Sequence, residues 1–398
     1  MKKIVSFFSI VTWISILLFL CFLLSSACKK QETAWRGEIK TVDGVKVVHN
    51  FEPDPEESFK PIEFIVDLSI GEEEGDENYM FSAPRDIDAD SQGNIYVLDS
   101  REYTVKKYDP QGKHIKNIGR FGQGPGEFDY PRYLCVSERG NIFVTELLEG
   151  KIEVFNQEGE YQKYLSVDRH DRIAVTKDEE LVIGDSVHEE TEKNEIQYFH
   201  KVGIYNQQKD EILDFYSQKK PRWDRISSDT FTYEYPLFVR WDINSKDHII
   251  IATANKYELK VFTTDGMLLS KYIIDIKPIP VSGEAKRKVS EMLDKLKSSI
   301  AFDDRELRKL VEYYPVFNCI SIDERDRIWV ERYDPFRRDK AKKEVIFDVF
   351  SPEGKFVFTT KIEMDIFPQI IFKNGYIYTL ARDESGYEIA LRLRMIEE

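Results

Sequence analysis

Short runs of β-branched and aromatic residues, each entered through a tight polar turn, recur along the chain. GNIYVLDS at 93 returns as GNIFVTEL at 140, ELVIGDS at 180, DHIIIATA at 247, DRIWVERY at 326 and GYIYTLAR at 375. Runs of this composition, bounded by Gly, Asp and Asn, read as strands. A second strand follows each one: VKKYDPQGK, IEVFNQEGE, VGIYNQQKD, LKVFTTDGM, FDVFSPEGK and YEIALRLRM. The spacing from Ile95 to Tyr108, Ile142 to Phe155 and Ile249 to Phe262 is constant at thirteen residues. Ahead of each pair lies a further strand, as in PRDIDA, PRYLCV and RIAVTK. A unit of about four short strands cannot bury its faces alone, whereas a ring of such units can. The pattern predicts an all-β, six-bladed β-propeller over residues 61–398.

The last unit stops after its third strand, IALRLRMIEE. EFIVDLSIG at 63–71 supplies the missing outer strand, so an N-terminal strand is expected to close the ring and leave no open edge. Residues 282–313 interrupt the β pattern. There Val289, Met292, Leu293, Leu296 and Ile300 fall at helical spacing and Asp303 with Glu306 forms a capping box, which predicts a helical hairpin insert.

The units P-x-x-I-x-x-D-x-x-G-N-I-Y-V-x-D, each ending in G-x-x-G-x-G-P-G-x-F-x-x-P, resemble the NHL-repeat six-bladed propellers. The match is close in the first two units; the other four keep only the skeleton. The resemblance assigns RFGQGPGEF, at 120–128, to the link from the outer strand of one blade to the inner strand of the next. A phosphate loop would need a helix after it, and FDYP follows instead. The glycines are expected to supply positive φ for a sharp turn.

Lys2 and Lys3, a long apolar run and LLSSAC at 23–28 form a secretory signal over residues 1–27. Ser26-Ala27-Cys28 resembles the bacterial lipobox, with Ser25 where that family usually has Leu. The resemblance makes Cys28 the lipidated mature N-terminus and places the protein in the cell envelope, periplasmic or on the outer surface. An uncleaved anchor is the alternative. Residues 28–60 are expected to be an acidic, lipid-anchored tether containing a hairpin turned on Asp43-Gly44.

The formal charge of −15 moves to −17 once Lys2 and Lys3 are removed, which argues against nucleic-acid binding. Cys135 and Cys319, on opposite blades, are expected to be free thiols. DIDADSQGN imitates a calcium loop at Asp86, Asp88 and Asp90, yet it has Ser91 in place of the loop glycine and Val97 in place of the bidentate Glu. The six His lack metal-ligand spacing. No cofactor is expected, with bound calcium or zinc left open.

Turns such as DSQG, SERG, DPQG and TTDG are minimal and gather at one end of the ring, whereas the long connections gather at the other. Function usually sits on variable loops of a rigid scaffold. At the long-loop end Arg85, Arg132, Arg172 and Arg240 begin inner strands. Asp99, Glu146 and Asp185 end second strands, and Arg332 with Trp223 and Trp241 lies close by. Two readings stand: a ring of inter-blade ion pairs, or a pocket whose arginine forks bind carboxylate or phosphate between stacking walls. The function expected is binding of a small anionic ligand or a protein partner on this face rather than catalysis. One alternative is a metal-dependent hydrolase or lyase, by resemblance to gluconolactonase-like propellers. Another is a surface scaffold docking through the helical insert.

Overall fold

Six four-stranded units arise because each pair of recurring runs folds back on itself around an Asp-, Asn-, Ser- or Thr-headed turn. In these turns the head side chain accepts the backbone N–H four positions on, as Ser137 takes Asn141 and Thr176 takes Glu180, and in several of them also the one two positions on. Asp90 takes Gln92 and Asn94, Asp323 takes Arg325 and Arg327, and Asn244 takes Lys246 and His248. The computed structural model describes residues 35–398 except 148–149, 168–171, 191–195, 207–210, 221–238, 254–255, 285, 288–289, 292–312, 335–342, 368 and 398.

The sheets form a six-bladed propeller in which consecutive antiparallel strands make each blade. The inner strands are Pro84–Ala89, Pro131–Val136, Ile173–Val175, Val239–Ile243, Phe317–Ile322 and Ile371–Lys373. The constant spacing of thirteen is a cross-strand register: Ile95 faces Tyr108, Ile142 faces Phe155 and Ile249 faces Phe262. Apolar clusters fill the wedges between blades. One joins Ile70 and Tyr378 of blade six to Ile87, Ile95 and Tyr108 of blade one.

Glu63–Ile70 pairs antiparallel with Glu388–Ile396, from Ala390 opposite Ile70 to Ile396 opposite Glu63. The N-terminal strand therefore completes blade six and closes the ring. The residues before it depart from the expected tether. Gly37–Val42 and Val45–Asn50 form the hairpin, and its second strand pairs in parallel with Leu268–Ile274, the outer strand of blade four. An outer strand offers a row of unpaired N–H and C=O groups, and the hairpin satisfies them. Asn50, fully buried, donates to Ile273 O and Gly354 O and accepts from Phe356 N, sealing blade four to blade five. The chain then makes one short helix, Pro55–Ser58, capped by Asp54, bridges to Thr359 of blade five, and enters blade six.

SVHEETEKNEIQY, at 186–198, reads as one of the long connections but is mostly strand: Leu181–Glu190 and Ile196–Asn206 stay paired from Leu181–Tyr205 out to Glu190–Ile196. Of the helical insert, the described residues between 283 and 291 are helical, and 292–312 lie outside the described residues.

RFGQGPGEF is the link between blades one and two. Phe128 is fully buried and packs edge-on against Phe155. Gly119 has φ +79, and a Cβ there would sit 2.2 Å from the Phe128 ring. Gly124 N–H donates to Glu127 Oε2, so a carboxylate of the protein's own already fills the glycine turn.

Candidate functional site

The inner strands surround a central cavity of about 500 Å³. Its lining comes from all six blades and includes the minimal turns at the end of the inner strands, such as Ser137-Glu138, Asn244-Ser245 and Asp323-Glu324. It is therefore reached from the short-turn end, opposite the long loops. Nine acidic side chains line it against three basic ones, Arg172, Lys177 and Lys373.

The acids deepest in the channel are built into the ring. Asp86 Oδ2 accepts Leu134 N at 2.9 Å, Asp88 Oδ2 accepts Val136 N at 2.7 Å, and Asp242 Oδ2 accepts Ile322 N at 3.1 Å. Each donor belongs to the next blade. The other oxygen of each aspartate accepts the N–H of the following residue. Lys373 closes the circle, donating to Asp88 Oδ1 at 2.6 Å and to Ala89 O and Val136 O at 2.9 Å. Arg172 donates to Trp241 O at 2.8 Å and Asp242 Oδ1 at 3.1 Å, joining blade three to blade four.

Burial and the nearby Asp88 charge push the Asp86 carboxyl up to about 7, against the two backbone hydrogen bonds that favour its ionised form. Burial likewise raises Asp242 despite Arg172. For Lys373 burial acts against the ammonium, yet the Asp88 charge and hydrogen bond together with Asp90 and other nearby groups outweigh it, and the pKa lies above the ordinary lysine value. Cys135 borders the cavity as a free thiol pushed up to about 12 by burial and by Asp88, and Cys319 is a buried free thiol at about 11. Neither carries the thiolate that nucleophilic chemistry requires.

The residues singled out at the long-loop end are dispersed among separate tasks. Arg240 Nε donates to Asn318 O of blade five at 2.8 Å. Arg332 grips Asp348 with two bonds, 2.8 and 2.7 Å, and Tyr257 of blade four donates to the same carboxylate. Arg132 is half-buried, its guanidinium 5.5 Å from the centre of the Tyr133 ring. Arg85 is exposed and has no hydrogen-bond or ion-pair partner among the described residues. Asp99 is fully buried and accepts the N–H groups of Ser82, Ala83, Arg101 and Glu102. Glu146 accepts those of Asp129 and Tyr130. Both acids therefore latch the incoming blade link. Trp241 is 4% exposed and packs over Gly184, where a Cβ would meet its Nε1 at 2.2 Å, so it is wedge core rather than a stacking wall. Asp185 lies in the strand Leu181–Glu190, opposite Lys201 in register, and its side chain lies outside the described residues, as do Trp223 and Cys28.

Asp90, the third aspartate of the calcium-loop imitation, is spent on its turn: Gln92 N, Asn94 N, Asn94 Nδ2 and the Tyr96 hydroxyl all donate to it. Among the described residues no group of three or more His, Cys, Asp or Glu side chains could hold a metal ion. Of the channel residues, Asp242 and Lys373 were not marked by any motif, and Asp86 and Asp88 were marked only by the calcium-loop imitation. Their signal was the acid-rich inner strand, visible as DID at 86–88 and WDI at 241–243.

Fold and site together define a six-bladed β-propeller with a polar, acid-lined channel. The family model DUF5128, 6-bladed beta-propeller, matches residues 74–263. No curated protein matches the chain in sequence. Among solved structures, a Bacteroides fragilis protein described as exported has a TM-score of 0.53 at 10% identity, covering 88% of this chain and all of its own. A DUF4221 family member from Bacteroides vulgatus has a TM-score of 0.51 at 11% identity, covering 85% of this chain and 99% of its own. Virginiamycin B lyase of Staphylococcus aureus has a TM-score of 0.44 at 11% identity, with coverages of 84% and 100%. At these identities the likeness is one of fold.

Proposed function

We propose that this protein is a lipid-anchored, extracytoplasmic propeller of NHL type that binds a small polar ligand in its central channel. The cavity carries the proposal, because its size suits a small solute and its lining is rich in hydrogen-bonding groups. Arg172 and Lys373 are already matched by Asp242 and Asp88, so the field left over is negative. A negative channel favours a cationic or neutral solute and opposes an anion. The sign is thus opposite to that expected from the arginines, three of which are bound internally. Export is supported by Lys2-Lys3, the apolar run and the Ser26-Ala27-Cys28 junction, and by the description of the Bacteroides fragilis neighbour as an exported protein.

A thermal-shift panel tests the reading with putrescine, choline, a neutral hexose, citrate and inorganic phosphate. The amines or the hexose should raise the melting temperature by several degrees near 100 times their Kd. A rise with citrate or phosphate alone would sink the channel reading. That outcome would favour a second site, an anion bound at the long-loop end, supported by the exposed Arg85, which like Arg132 is the second residue of its inner strand. Loss of the anion effect in Arg85→Gln would then locate it.

A further inference from the structure

We propose that the N-terminal strap holds the propeller rim-first against a lipid bilayer, with blade four nearest the membrane. The proposal rests on lipidation at Cys28 as read above. It starts from where the chain leaves the fold. Pairing of Val45–Asn50 with Leu268–Ile274 fixes the hairpin to the outer strand of blade four, on the rim of the ring and on neither mouth of the channel. The attachment is tight: Val48 and Asn50 are fully buried, and Asn50 bonds to both blade four and blade five. Lys46 Nζ reaches Glu353 O of blade five, and His49 Nε2 meets Asp275 Oδ1 at 2.9 Å.

The bound strap changes the length of the leash. Were residues 28–62 free, they would span up to about 120 Å fully extended at about 3.4 Å per residue. With the hairpin docked, only the roughly nine residues from Cys28 to Gly37 remain, reaching at most about 30 Å. The edge of the extended blade is Gly37–Val42, where Ile39 and Val42 are about half exposed, 48% and 51%. Apolar side chains beside a short acylated leash suit the bilayer interface, where acyl anchoring gains from a second contact. Held at blade four, the ring leaves both channel mouths open to solvent, which a face-down attachment would block at one end.

The test measures energy transfer to acceptor lipids in phosphatidylcholine vesicles from a fluorophore on Met267→Cys, on blade four, or Ile115→Cys, on the opposite blade one, both exposed. Cys135 is replaced by Ser and Cys319 by Ala in both. The full-length lipoprotein forms one arm. In the other a His-tag replaces the lipid at position 28 and binds nickel-chelating lipid, so a failure of lipidation removes signal from the first arm only. Transfer should be several-fold stronger from position 267 than from 115 in the tagged arm. The difference should vanish when the strap is released by Val48→Asp or, independently, by Asn50→Ala. Equal transfer from both positions in the intact protein, or a difference that survives both release variants while the blades stay folded by circular dichroism, would overturn the proposal.

Discussion

Asp99 concentrates four backbone donors on one buried carboxylate, and its burial makes the latch costly to lose. Charged hydrogen bonds contribute about 1.5–3 kcal/mol each, although shared donors are not additive. Asp99→Ala should therefore cost about 3 kcal/mol or more in urea unfolding and leave ligand binding in the channel unchanged. Asp86 makes a different prediction. Its folded pKa of about 7 exceeds the unfolded value near 3.8, so the folded state binds the extra proton between those limits. Stability from this group is then present at low pH and lost as pH rises from about 4 to about 7, by at most about 1.4 kcal/mol per pH unit. Asp86→Asn should flatten the decline of unfolding free energy over that window, and an unchanged slope would count against a buried, protonatable Asp86. At this scale the sequence shows which residue types are present but not their partners. Asp99 and Arg240 were both legible as ends of strands. Whether each faced a ligand or a neighbouring blade depended on inter-blade contacts dozens of residues away in the chain, such as Arg240 to Asn318.

Elements were more legible than partners, because local period and turn chemistry agree. The thirteen-residue spacing encoded a cross-strand register, and the unfinished last unit encoded its own closure. Gly119 tests the blade link: its φ of +79 and the Phe128 ring at 2.2 Å from any Cβ make Gly119→Ala strained and overpacked together. A loss of about 2–4 kcal/mol is expected from these two costs, measured by chemical denaturation. The strap was the element that sequence misjudged. Its hairpin turn was plain at Asp43-Gly44, but the parallel partner strand lies more than two hundred residues on, at Ser270–Ile274. Deleting residues 36–50 should thus lower the melting temperature by several degrees through loss of buried Val48 and Asn50. Deleting 61–71 removes the closing strand as well as Ile62 and Ile70 and should abolish the cooperative transition altogether. Equal melting temperatures for the two truncations would contradict the closure.

On the scale of the whole molecule, the ring turns six weak sheets into one wall around a polar channel. Recurrence along the chain announced the ring, since only a closed set of blades buries every wedge. The channel was hidden in the sequence because its residues come four to six from each blade and meet only when the ring closes. Aspartates 86, 88 and 242 each tie one blade to the next, and the remaining acids leave the mouth negative. Glu138 and Glu324 lie exposed at that mouth, on turns of blades two and five. Reversing both, Glu138→Lys with Glu324→Lys, changes the local field by four charges and removes one side-chain hydrogen bond, from Gly375 N to Glu324 Oε2. The decisive measurement is calorimetric titration of putrescine and of citrate into the wild-type protein and this double variant at low ionic strength. Binding of putrescine to the wild type, weakened at least ten-fold in the variant, is the result the channel account predicts. Putrescine binding that is unaltered by the reversal, or citrate binding to the wild type with no amine binding, would contradict it.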